Sequence, residues 1–192
     1  MLYEDLNSKT RLDGADVFKN KTLKKTDILK NLNLDFLIRE YQKEAFGRFY
    51  FYMEEYQGKQ TPVHLLFNMA TGSGKTLIMA GNILYLYEKG YRDFVFFVNS
   101  TNIIDKTRDN FLNAVSSKYL FNQKIIINDK QISIKEVQNF EAGSKDDINI
   151  IFTTIHGLHS KLNNPSENKI TYEDFEDKKI VDNAYEVYTS LI

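Results

Sequence analysis

The segment Ala70-Thr71-Gly72-Ser73-Gly74-Lys75-Thr76 constrains this chain more than any other. Glycines at 72 and 74 let successive backbone amides turn inward around an anion, where a Cβ would block the approach. Before the loop, Val63–Met69 is a nearly continuous apolar run, which reads as a parallel-sheet strand covered on both faces. After it, Leu77, Ile78, Ala80, Ile83, Leu84 and Leu86 recur at helical spacing, and Gly90 marks the end of that helix. Strand, glycine-rich loop and helix together form the setting in which nucleotide phosphates are held. Thr71, Gly72, Ser73 and Gly74 then supply the cradle, and the helix start adds partial positive charge. Lys75 reaches the β- and γ-phosphates, and the Thr76 hydroxyl takes a place in a magnesium shell. The strict eight-residue pattern opens with glycine, and here Met69 stands in that position.

The rest of the chain predicts an α/β fold. Between Phe36 and Tyr56, apolar and aromatic residues recur at steps of three and four, which predicts an amphipathic helix. Its aromatics are read as core rather than as stacking platforms for nucleic-acid bases. Further strands are expected at Phe94–Val98, Lys124–Ile127, Gln131–Val137 and Ile148–Thr154, with a helix over Asn102–Leu112. The two middle strands suit a small hairpin around Asn128-Asp129-Lys130. Alternating strands and helices at these spacings imply a doubly wound parallel sheet with helices on both faces. Residues 1–35 are polar and rich in Lys and Asn, and fit either a short packed helix or a frayed arm. Residues 36–192 then form the domain proper.

Composition removes several alternatives. The 192 residues contain no cysteine, which excludes a disulfide framework, a thiol nucleophile and cysteine-ligated zinc. Twenty-five basic residues stand against 26 acidic ones, so no overall positive field announces a nucleic-acid partner. No apolar run reaches the ~18 residues of a membrane span, and the amino-terminal residues do not resemble a signal peptide, so a cytoplasmic protein is expected. His64, His156 and His159 lack a completing carboxylate pair and are read as packing or surface residues, so no histidine metal centre is expected.

Met69–Thr76 resembles the first motif of superfamily-two helicase-like motors, in the Met-Ala-Thr-Gly form typical of the motor subunits of type I and type III restriction enzymes. Over residues 36–184 the chain most resembles the amino-terminal motor domain of a type III restriction subunit, with a type I motor subunit or another superfamily-two helicase as the less favoured reading. Ile38–Ala45 resembles the Arg-x-Tyr-Gln-x-Glu-Ala stretch of the same proteins. The resemblance implies ATP with Mg2+ as cofactors and assigns adenine recognition to Gln42. Phe96–Thr107 and Ile151–Leu158 look like the two strand-end motifs that touch the DNA backbone in that family. They carry Asn99, Ser100, Thr101, Thr153 and Thr154 over as contacts to double-stranded DNA. Such hydroxyls and amides fix register on phosphates without reading bases. They are also the residue types preferred as helix caps. A methylating and specificity subunit is the partner implied.

In this family an acidic strand ending in Asp-Glu-Ala-His follows. Here Asp182-Asn183-Ala184-Tyr185-Glu186-Val187-Tyr188 occupies that place. Either Tyr185 replaces the magnesium-binding Asp and Glu186 remains as the general base, or the tail is unrelated sequence. Under both readings the acidic magnesium ligand is missing. The chain stops at Ile192, ahead of the second motor domain and nuclease of the family. The expectation is therefore a truncated first motor domain, with Lys75 and Glu186 as its catalytic residues, little turnover alone and an unpaired apolar sheet edge. The alternative is a non-catalytic nucleotide-binding module or an inert gene remnant. A small-molecule kinase is disfavoured, because only five arginines are present to build an arginine-rich lid.

Overall fold

The computed structural model describes residues 2–33, 37–154 and 157. The elements run α1 (Leu2–Asp13), α2 (Val17–Leu23), α3 (Thr26–Leu29), α4 (Glu40–Glu54), α5 (Lys75–Glu88) and β1 (Asp93–Val98). They continue α6 (Thr101–Leu112), β2 (Ile125–Ile127), β3 (Lys130–Ile132), β4 (Ile134–Glu136) and β5 (Ile148–Thr154). The chain divides into two compact units. The first takes the residues up to Lys89 together with Leu120–Gln131; the second takes Gly90–Tyr119 and the residues from Ile132 onward.

In the first unit the aromatic residues of α4 form the core. Phe46 stacks on Tyr50 at 6.2 Å between ring centroids, and Tyr50 stacks on Tyr85 of α5 at 4.9 Å. Phe49 meets Tyr85 edge-on at 5.3 Å. These rings are buried among each other, a packing worth ~0.5–1.5 kcal/mol per pair beyond area burial. The helix begins at Glu40, four residues later than the periodicity predicts. Arg39 is extended, with φ −74° and ψ 158°, and its N–H donates to the Gln42 side chain at 2.9 Å. That is half of a capping box, and it fixes where the helix starts.

The polar amino-terminal segment forms three helices. Packing of α2 against α4 is close enough to demand glycine at position 47. A Cβ there would fall on the carbonyl oxygen of Phe18, well inside any real contact. Phe18 is fully buried, and the Arg48 guanidinium lies 4.9 Å from its ring centroid. The Thr22 hydroxyl donates across to the Lys43 carbonyl at 2.5 Å.

At the other end of α4, Tyr85 Oη donates to Glu54 at 3.2 Å, while Lys25 and Lys89 approach the same carboxylate at 2.8 and 3.2 Å. Burial pushes Glu54 up, but hydrogen bonds from the two lysines outweigh it and hold the carboxyl below its ordinary 4.5. Burial raises both Tyr50 and Tyr85 well above the usual phenol value.

The expected hairpin is present as β2 and β3, joined by Asn128 (φ 52°) and Asp129 (φ 61°). Two central residues with positive φ make a type I′ turn. Buried Asn31 ties this hairpin to the helices. Its side-chain amide donates to the Ile126 carbonyl at 2.9 Å and accepts from the Ile126 N–H at 2.7 Å, imitating a strand edge.

Val63–Met69 departs from expectation. The segment joins no ladder, and its burial alternates: Leu65, Phe67 and Met69 are half-buried while His64, Leu66 and Asn68 are exposed. Phe67 packs on Phe49 at 6.2 Å. A continuous apolar run announces burial on both faces only where neighbouring strands complete a sheet. Among the described residues no strand pairs with this one.

The second unit holds a parallel three-stranded sheet in the order β1-β5-β4. Its fold class is α/β, as expected. The buried centre is β5, and β1 is a half-buried edge strand rather than a fully covered one. The predicted strand over Gln131–Val137 is two strands, β3 and β4. The chain breaks register at Ser133, whose N–H is taken by the Asp147 carboxylate at 2.8 Å. Helix α6 is fastened to β4 through Arg108, which donates to both oxygens of Glu136 at 2.9–3.1 Å. Asn149, buried in β5, donates to Asp93 at 2.7 Å and to the Ser144 carbonyl at 2.9 Å. The register pairs Phe97 with Thr153 and Val98 with Thr154, so β1 and β5 end side by side.

Two outcomes follow for the first unit. Gly47→Ala should lower stability by about 3 kcal/mol, because α2 and α4 must part. Gly14→Ala, at φ +97° with open space around it, should cost only about 1 kcal/mol. Urea midpoints compare them. The Glu54 contribution is present above pH 4.5 and is lost as pH falls through and below that value. Thermal melts should show Glu54→Gln less stable than the parent at pH 7, with a shallower decline between pH 5 and 3.

Candidate nucleotide site

The loop Ala70–Thr76 lies within the first unit. Gly72 and Gly74 have φ of +78° and +87°, the left-handed region that side chains rarely adopt. The Ser73 N–H bonds the Ala70 carbonyl at 3.2 Å, closing the turn. Helix α5 then starts at Lys75, leaving its first amides without intrahelical acceptors. Lys75 Nζ is exposed and donates to the carbonyls of Met69 and Ala70 at 2.9 and 3.0 Å. Ser73 Oγ is buried without a hydrogen-bond partner. An orphaned hydroxyl, a lysine resting on loop carbonyls and glycine-permitted backbone match the needs of a polyphosphate. Thr76 is half-buried in the first turn of α5.

The loop forms one wall of a cleft of about 520 Å3, whose other wall is the start of α4 with Arg39, Tyr41, Glu44 and Arg48. Gln42 is buried at 5% exposure, and its amide is shared between two backbones. Oε1 accepts from Arg39 N–H, and Nε2 donates to the Ser73 carbonyl at 2.8 Å. Gln42 thus links helix α4 to the phosphate loop directly. Gly74 is required twice here, since a Cβ at that position would stand 2.5 Å from Gln42 Nε2. Tyr41 was given no role from sequence. Its place beside Gln42 in the Arg-x-Tyr-Gln stretch is the signal that could have marked it, because its hydroxyl also reaches Ser73.

The strand-end residues lie in the second unit. Asn99 and Thr101 are exposed after β1, and Ser100 is the N-cap of α6, its side chain making no capping bond. Thr154 Oγ1 accepts from the Gly157 N–H at 2.9 Å. Thr153 is buried, and its hydroxyl donates to the Thr154 carbonyl at 3.3 Å. Because β1 and β5 are adjacent and parallel, these residues gather at one end of the sheet. Glu186, Tyr185, His156 and His159 lie outside the described residues. His64 is exposed, and no group of three potential metal-binding His, Asp or Glu side chains occurs among the described residues.

The family described as "Type III restriction enzyme, res subunit" matches residues 35–189. The chain belongs to this family. It is also 39% identical over 188 residues to the "Probable type III restriction-modification enzyme HindVIP Res subunit" of Haemophilus influenzae. That match covers 91% of this chain and 36% of the relative, so the chain spans little more than a third of that protein. No solved structure matches. Membership brings the P-loop NTPase fold of a helicase-like family. No described helix is long and apolar enough to cross a membrane.

The two loop glycines should respond unequally. Gly72 has open space around it, whereas a side chain at Gly74 meets Gln42. Gly74→Ala should therefore weaken nucleotide binding at least ~10-fold more than Gly72→Ala in a titration with a fluorescent ATP analogue, since the clash adds to the left-handed strain both share.

Proposed function

We propose that this chain is the ATP-binding and DNA-contacting part of a type III restriction motor subunit. The observation that carries the reading is the phosphate loop itself. Gly72 and Gly74 adopt the left-handed backbone that turns amides inward, Lys75 Nζ rests on the Met69 and Ala70 carbonyls, and the Ser73 hydroxyl of the same loop is buried without a partner. Thr71–Thr76 would hold the triphosphate, with Lys75 on the β- and γ-phosphates and Thr76 on Mg2+. Gln42 would contact adenine with the bonding capacity its amide keeps beyond Arg39 and Ser73, since each amide atom can make a second bond.

Bound Mg2+ would neutralise charge on the transferring phosphoryl group. The chain's own work is binding and orientation. Lys75 offsets phosphate charge, and the amides at the α5 start fix the phosphate oxygens. Glu186 is the proposed general base. Asn99, Ser100, Thr101, Thr153 and Thr154 would grip the backbone of double-stranded DNA from one end of the sheet, fixing register. In the whole subunit, ATP turnover would drive movement along DNA toward cleavage, in the cytoplasm. The partner would be a methylating and specificity subunit.

Calorimetric titration with ATP, with and without Mg2+, tests the reading against Lys75→Ala. Saturable binding that weakens by ~100-fold or more in the variant is expected, since Lys75 is the cation that the loop itself carries. Equal affinity of the two proteins would overturn it.

A further inference from the structure

Helix α4 approaches the phosphate loop with two donors rather than one. Tyr41 Oη donates to the Ser73 carbonyl at 3.1 Å, and Gln42 Nε2 donates to the same oxygen at 2.8 Å. A carbonyl oxygen offers two lone pairs, so consecutive residues of one helix saturate this acceptor. The hydroxyl is itself held in place, because Arg39 Nη1 donates to Tyr41 Oη at 3.3 Å.

What this fixes is a peptide plane. In a trans peptide the C=O of one residue and the N–H of the next point in opposite directions. Holding the Ser73 carbonyl against α4 therefore aims the Gly74 N–H away from α4. Gly74 sits at φ +87°, a conformation its lack of a side chain permits but does not enforce. Some external contact must select that orientation from the several glycine allows.

We propose that the Tyr41 hydroxyl is a positioning group that aims the Gly74 amide at the phosphate chain of a bound nucleotide. It rests on the nucleotide reading above and deepens it. The hydroxyl acts on the part of the ligand shared by every nucleoside triphosphate, and it does not read the base. The ring of Tyr41, 41% exposed, is free to meet other groups without affecting this bond.

Tyr41→Phe removes the hydroxyl and keeps the ring, and the exposed position leaves folding intact. Binding is measured for ATP, GTP and inorganic tripolyphosphate, each with Mg2+. A loss of roughly three- to tenfold is expected, equal for all three ligands, as one hydrogen bond would give. The Gly74 amide resonance in a proton–nitrogen correlation spectrum should also move in the unliganded variant. A loss confined to ATP would overturn the proposal, because it would make Tyr41 a base reader. Unchanged tripolyphosphate affinity or an unmoved Gly74 amide would overturn it as well. If the parent chain binds ATP and tripolyphosphate, such a result refutes the Tyr41 role alone. If the parent binds neither, the nucleotide reading fails and the positioning role falls with it.

Discussion

The amino-terminal unit depends on helix α4 being docked along its whole length. Its first turn is bonded to the phosphate loop through Gln42, its middle lies directly on α2 at Gly47, and its last turns stack on α5 through Tyr50 and Tyr85. Each contact uses different chemistry: a buried amide, an absent side chain and a pair of aromatic faces. Interiors packed at this density pass displacement on rather than absorb it. A shift of α4 would therefore be felt at Ser73, and a shift of the loop would be felt at the aromatic core.

Much of this was legible in the sequence, and the exceptions have physical causes. The phosphate loop declares itself because two glycines, a lysine and a threonine at fixed spacing answer a backbone requirement that few sequences meet by chance. Helix α6 and strand β5 match their expected spans almost to the residue, since periodicity and flanking polar residues agreed. The Asn128-Asp129 turn was legible because few residues accept positive φ in succession. Val63–Met69 misled because an apolar run reports burial potential and says nothing of which strand will supply the ladder. Ser133 was invisible for a related reason: its N–H is claimed by Asp147, fourteen residues away.

At the candidate site the pattern is similar. Lys75, Gly72 and Gly74 were placed by local spacing alone. Gln42 required the family resemblance, and only the structure shows that its amide is already divided between Arg39 and Ser73. This gives the residue a mechanical part beside any contact with adenine: it makes the loop and the helix one object. The gathering of Asn99, Ser100, Thr101, Thr153 and Thr154 at one sheet end comes from strand order, which no single segment encodes. Family membership adds the P-loop NTPase fold, and the geometry adds which atoms the loop presents.

Amide hydrogen exchange with and without saturating Mg2+·ATP measures the coupling between α4 and the phosphate loop most directly. The account predicts slowed exchange over Gly72–Leu77 and, with it, over the first turns of α4 from Tyr41 to Phe46. Protection confined to the loop, with α4 exchanging at its unliganded rate, would contradict it.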